Sequence, residues 1–360
     1  MIEKCLDDLE SRIDPASEAK LLAEWKRFCD GTSDADIFIP RRNQNIPPTI
    51  EWPDISINAA FENHELMALH QLKLCSDAIA NGTGQLLNVR CNYGTGILPS
   101  LFGAELFMMD DALNTLPTTR PVSGGEADLH SLLDKGIPDL QNGLGAKVFE
   151  MAARYHSWMN SYPKIRQYVS IYHPDLQGPM DVCELLYGSD LFTALIEQPD
   201  FVRQLLDLIT QTYIAFLTEW NRLVPPRDGY ATHWAMMHKG QIMLRDDSAM
   251  NLSPEMFEEF IRPYDQQLLT TFGGGAIHFC GKGDHFIPML SGMEKLYAIH
   301  MSQPEHNDLE VIFRSSVDKN IRILGLKLDV ARQAIERGRS LKRSVHCTEG
   351  GRVILDAYKS

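Results

Sequence analysis

A chain of 360 residues with a formal net charge of -14 is a poor match for nucleic acid or an anionic membrane surface, because such partners are met by basic patches that offset phosphate charge. With 44% hydrophobic and 23% charged residues, it has the composition of a folded protein with a large core rather than of a disordered one. No apolar run approaches the roughly 20 residues of a membrane span, the acidic start Met1-Ile2-Glu3-Lys4-Cys5-Leu6-Asp7-Asp8 does not read as a secretion signal, and seven scattered cysteines fit reduced thiols, so a cytoplasmic protein is expected.

In chain order, the pattern predicts a helix over about residues 16 to 29. An irregular stretch over 30 to 57 follows, with Pro40, Pro47, Pro48 and Pro53, either linking that helix to the next element or lying over a barrel mouth. Beyond it, short apolar runs alternate with amphipathic segments, the pattern of repeated βα units. The predicted strands are 86 to 91, 167 to 172, 230 to 235, 276 to 280, 296 to 301, 321 to 326 and 344 to 347, with an eighth near 37 to 39. Phe201, Leu205, Ile209, Tyr213, Phe216 and Trp220 recur at helical spacing and mark a long helix after Gln198. Another starts at Ser253, an N-cap followed by Pro254 at the first helical position, and is expected to turn Met256, Phe257, Phe260, Ile261 and Tyr264 inward. Two further helices, 307 to 316 and 329 to 338, separate the last three strands. The expected organisation is an N-terminal helical extension over 1 to 35 and an α/β domain over 36 to 360. Eight parallel strands would close into a (β/α)8 TIM barrel, fewer would leave an open doubly wound sheet, and periodicity admits both.

Chemistry concentrates at a few places. In the strand Ala276-Ile277-His278-Phe279-Cys280, His278 and Cys280 project from one side, so two soft ligands face the same way. Imidazole and thiolate together suit Zn2+, which needs at least one more ligand. Cys347, near the end of the last predicted strand, is the preferred third, with Cys91 and Cys183 as competitors. The plainer reading is a hydrogen-bonded core histidine and a buried thiol, and the two readings stand about even. Asp246, Asp247 and Ser248 precede the Ser253 helix on a loop, where paired carboxylates could serve as general base or support a metal, or could be a solvated turn. Asn92-Tyr93-Gly94-Thr95-Gly96 and Asp175-Leu176-Gln177-Gly178 are polar turns after strands; the first lacks the spacing of a dinucleotide site. His233 and His238 would point to opposite faces of a continuing strand, a poor metal pair.

LQGPMDVCELLYG (176 to 188), DDSAMNLSPEMFEEFIRPY (246 to 264) and HFCG (278 to 281) followed by Cys347 resemble, in this order, the uroporphyrinogen decarboxylase superfamily. The resemblance runs from about residue 85 onward. It implies a (β/α)8 barrel with its cleft at the C-terminal ends of the strands. The decarboxylase's arginine-rich loop has only Arg41-Arg42 as a counterpart, and Leu185 stands where that enzyme carries a tyrosine. The zinc-dependent methylcobalamin:coenzyme M methyltransferase branch matches better, since its zinc is held by His-x-Cys and a later Cys, here His278, Cys280 and Cys347. What the branch implies is a methyl-corrinoid as methyl source, bound alone or on a partner corrinoid protein, and a thiolate acceptor held by zinc. Asp246, Asp247 and Ser248 are then the expected catalytic residues, and Asn92, Tyr93, Gln177, His233 and Gln303 are expected to contact a small-molecule substrate. A homodimer is compatible with such a barrel. The rival expectations are a metal-independent decarboxylase of a tetrapyrrole or other carboxylate, with at least two arginines at the mouth, and a tetrapyrrole- or corrinoid-binding barrel without turnover.

Overall fold

The computed structural model describes residues 1–348. Its strands are β1 Ile37–Phe38, β2 Asn88–Val89, β3 Leu106–Phe107, β4 Thr118–Thr119, β5 Ser170–Ile171 and β6 Tyr230–His233, then β7 Met236–Lys239, β8 Ile242–Arg245, β9 Gly275–Phe279, β10 Leu296–Met301, β11 Arg322–Lys327 and β12 Val345–Thr348. Six of these form one parallel sheet in the order β1-β12-β11-β10-β9-β8, and β2 pairs with β5, again in parallel. Helices between successive strands cover the outer face, so the chain is an α/β protein with a mostly parallel central sheet. No ladder joins β5 to β8 or β2 to β1 among the described residues. Between β5 and β8, single bonds cross instead: Gly178 N donates to Arg245 O at 2.8 Å, and Met243 N to His173 Nε2 at 3.1 Å.

The expected strand at 230 to 235 is corrected. The chain reverses at Trp234 and Ala235, both at positive φ (47° and 62°), and His233 pairs with Met236 in an antiparallel hairpin. The parallel strand comes next, as β8. The segment before β5 is likewise shorter as strand than expected, because Pro163 starts a helix, Pro163–Tyr168.

The predicted helices form where the caps place them. Asp14 caps Pro15–Asp30, Ser253 Oγ accepts from Met256 N at 3.2 Å, and the long helix is Pro199–Leu223 with its apolar stripe buried. Pro263 lacks the N–H that would continue the Ser253 helix, which is broken into Pro254–Phe260 and Arg262–Thr271. The irregular stretch is fastened to the first helix, Ile2–Arg12: Thr49 and Trp52 donate to the Asp8 carboxylate, and the Arg12 guanidinium donates to Ile46 O. Residues 46 to 52 are thereby a strap across that helix.

Two cores result. The larger lies between the sheet and its covering helices. The smaller lies on the other face of the sheet, where Phe38, Met243, Ala276, Ala298 and Leu324 meet Trp25 and Phe28 of the second helix and Met236 and Met237 of the hairpin. Trp25 packs on His346 with ring centroids 4.5 Å apart, so the second helix lies against this face of the sheet. Among the described residues no helix is long and apolar enough to cross a membrane.

Candidate metal centre

Alternation along β9 sends Ile277 and Phe279 to the side of the larger core and Ala276 and His278 to the opposite side. Parallel register then aligns Arg245, His278 and His300 across β8, β9 and β10. Just past the end of β9, Cys280 lies with its Sγ 3.5 Å from His278 Nε2 and 3.1 Å from Ser302 Oγ. Asp247 Oδ1 is 3.6 Å from His278 Nε2 and accepts Cys280 N at 2.8 Å. One ligand atom each from Asp247, His278 and Cys280 therefore lies within 4.8 Å of the others. Tetrahedral zinc with bonds of about 2.0 to 2.3 Å sets its ligand atoms roughly 3.3 to 3.8 Å apart, so the two distances at His278 Nε2 already match a zinc polyhedron. The Asp247 side chain is 42% exposed, which leaves one side of the group open to an incoming ligand.

The loop that carries Asp247 is held from below. Gly178 approaches it so closely that a Cβ there would sit 2.5 Å from Arg245 O and 2.7 Å from Asp246 Oδ1. Asp181, on the helix Pro179–Tyr187, accepts Ser248 N at 2.8 Å, and Ser248 Oγ donates to Glu184 Oε2 at 2.6 Å. Asp246 N donates to His278 O at 2.9 Å, while the Asp246 carboxyl is buried beside Asp265. Burial raises the pKa of Asp181, Asp246 and Asp247, and their mutual repulsion adds to it for the first two. The Cys280 thiol is pushed up to about 12 by burial and by Asp247, and His278 is pushed down to about 3 by burial and by Arg245. Without a cation this pocket holds a neutral imidazole and a protonated thiol.

The other expected residues fall as follows. Gln303 Oε1 accepts Gly281 N at 2.7 Å and so holds the turn after Cys280. Gln177 and Asn92 are buried, and Tyr93 is fully buried against Phe61, with its hydroxyl unpartnered among the described residues. His233 is also fully buried, and the hairpin brings its Nδ1 to 2.8 Å from His238 Nε2, on one face rather than opposite ones.

Cys347 is not brought to the group. On β12, His346 takes the inward position and receives Gly325 N at 3.1 Å, so Cys347 points outward into the core beneath the helix Leu328–Glu336. Cys91, whose thiol faces Val148 O, and Cys183 are buried and also apart from it. Asp247 occupies the third place instead.

Sequence reasoning missed His300, Ser302, Asp181 and Glu184. A signal existed for the first two: His300-Met301-Ser302 repeats the spacing of His278-Phe279-Cys280 on the neighbouring strand. Arginines are present near the site, but they have internal partners. Arg90 and Arg245 both pair with the buried Asp175, and Arg245 also lies 4.8 Å over the Trp234 ring. Arg42 pairs with Glu18 at 2.6 Å and donates to Thr83 O.

No family model matches the chain, and no curated protein matches it. Among solved structures, the chain is similar to a methyltransferase from Methanosarcina mazei, at 17% sequence identity and a TM-score of 0.57, covering 82% of each chain. At that identity the likeness is one of fold.

Proposed function

We propose that this chain is an enzyme of the uroporphyrinogen decarboxylase superfamily that binds Zn2+ through Asp247, His278 and Cys280 and transfers a methyl group between a corrinoid and a thiol-type acceptor. The carrying observation is the Asp247, His278 and Cys280 triad, with zinc-like separations at His278 Nε2, all three ligand atoms within 4.8 Å of one another and one open side. The fold likeness to a methyltransferase supports the reading. In this reading β2 and β5 fill the gap between β1 and β8, completing a (β/α)8 barrel with the triad at the C-terminal ends of its strands.

Bound zinc would supply Lewis acidity, lowering the pKa of an acceptor thiol so that it attacks as thiolate. The chain's own groups do the rest. His278 and Cys280 fix the ligand face, Asp247 balances charge at the open side, and Asp181 with Glu184 holds the Asp247–Ser248 turn still. A corrinoid, free or on a partner protein, would approach from the side where Asp247 and Met250 are exposed.

The reading is tested by incubating zinc-loaded protein with methylcobalamin and small thiols and following loss of the methylcobalamin absorbance. Thiol-dependent demethylation, abolished in Cys280→Ala, is expected. Absence of turnover with every thiol, together with CO2 release from a polycarboxylated tetrapyrrole by metal-free protein, would overturn it in favour of a decarboxylase. The arginine pairings speak against that outcome, since Arg42, Arg90 and Arg245 each already meet a carboxylate.

A further inference from the structure

His278 can hold a cation through Nε2 only if its single proton sits on Nδ1, and something must keep it there. The neighbour on that side is His300, one strand over in register, with its Nδ1 2.8 Å from His278 Nδ1. Both rings are almost fully buried, so no solvent mediates the contact. Two nitrogens at that distance share one proton, and geometry between them alone does not say which ring donates. The other nitrogen of His278 decides it. Its Nε2 lies 3.5 Å from Cys280 Sγ and 3.6 Å from Asp247 Oδ1, so with a cation held there Nε2 keeps its lone pair and the donor is His278 Nδ1–H. His300 Nδ1 is then a lone-pair acceptor, and His300 carries its own proton on Nε2.

The fold makes room for that tautomer. Gly325 on β11 lies at φ +71°, and a Cβ there would sit 2.9 Å from His300 Nε2 and 3.0 Å from its Cδ2. Any side chain at Gly325 would displace the ring. The same open space borders Met236 Sδ, a weak acceptor for an Nε2–H. Trp234 packs against both imidazoles, at centroid distances of 4.9 Å from His278 and 5.3 Å from His300, and limits their rotation.

We propose that His300 is a positioning residue for the metal centre: its Nδ1 accepts the His278 Nδ1 proton and thereby aims the His278 Nε2 lone pair at the point between Asp247 and Cys280. This rests on the metal-binding reading above. Removing an outer-shell partner of a ligating histidine typically costs about 10- to 100-fold in metal affinity.

The test uses Co2+ as a spectroscopic probe on the full chain, with wild type, His300→Leu and His300→Asn. Leucine removes the ring acceptor at similar volume, whereas the asparagine Oδ1 can take the place of Nδ1. The expected result is Co2+ affinity about 10- to 100-fold weaker in His300→Leu, a weakened thiolate-to-cobalt charge-transfer band, and recovery of most of both in His300→Asn. Wild type that binds Co2+ while His300→Leu binds within about twofold of it overturns the positioning role alone. Wild type that binds no Co2+ overturns the metal reading and this role with it. Should His300→Leu fail to fold, the wild type still answers through two-bond nitrogen–proton NMR of the zinc-loaded protein. A proton on His278 Nδ1 and on His300 Nε2 is expected, and the reverse assignment overturns the proposal.

Discussion

Asp181 accepts the backbone N–H groups of both Asp247 and Ser248, at 3.1 and 2.8 Å, so a buried carboxyl holds the turn that carries a partly buried one. Its removal leaves two donors unmet at the edge of the candidate metal centre. Asp181→Ala is expected to destabilise the fold by about 2 kcal/mol, read as a lowered urea midpoint, and to lower zinc affinity as well. Asp181→Asn keeps one acceptor oxygen and should lie between the two. A stability loss in Asp181→Ala with unchanged zinc affinity would uncouple this carboxyl from the site.

Asp265 gives the fold a pH dependence. It is 1% exposed, and among the described residues the only hydrogen bond open to its carboxyl is a proton shared with Asp246. Burial pushes it up to about 7, the contact with Asp246 works against that rise, and the charge of Asp181 adds to it. An acid whose folded pKa is raised holds its proton in the native state and gives it up in the unfolded chain. Its contribution is therefore most favourable below about pH 4 and is lost as pH rises to about 7, by on the order of a few kcal/mol. Urea midpoints of wild type should fall between pH 5 and pH 8. Asp265→Asn should flatten that slope, and an unchanged slope would show that Asp265 does not hold the proton.

Asp175 sits between Arg90 and Arg245, and all three are buried. Asp175→Ala would take the carboxylate from between two buried guanidiniums and is expected to cost about 3 to 5 kcal/mol, with Asp175→Asn milder. Because Arg245 lies over the Trp234 ring, the change should also alter tryptophan fluorescence in the native state. A loss under about 1 kcal/mol would mean the arginines find water or other partners.

How far the sequence carries depends on what each signal encodes. The helix Pro199–Leu223 was legible because Phe201, Leu205, Ile209, Tyr213, Phe216 and Trp220, all buried, keep the helical period, and the Ser253 start because an N-cap, a proline at the first position and an acidic first turn coincide there. Strands β9 to β12 were legible as apolar runs between turns. β8 was not, since Ile242–Arg245 is four residues long and follows a hairpin whose turn, Trp234-Ala235, lacks the glycine or asparagine that normally announces one. Within the site, strand alternation put His278 and Cys280 on one side, and their ligand atoms do lie 3.5 Å apart. The same rule applied to Val345-His346-Cys347 permits only one of the last two to face inward, and the choice falls to His346 because it has a partner there in Gly325 N. Asp247 was recognised as chemistry but not as a neighbour of Cys280, because the contact joins loops 33 residues apart.

The most direct test of the account is zinc content per chain in protein purified without chelator, for wild type, Cys280→Ala and Cys347→Ala. The account predicts about one zinc in wild type, loss in Cys280→Ala and retention in Cys347→Ala. Wild type without zinc even after supply, or zinc kept in Cys280→Ala and lost in Cys347→Ala, would contradict it.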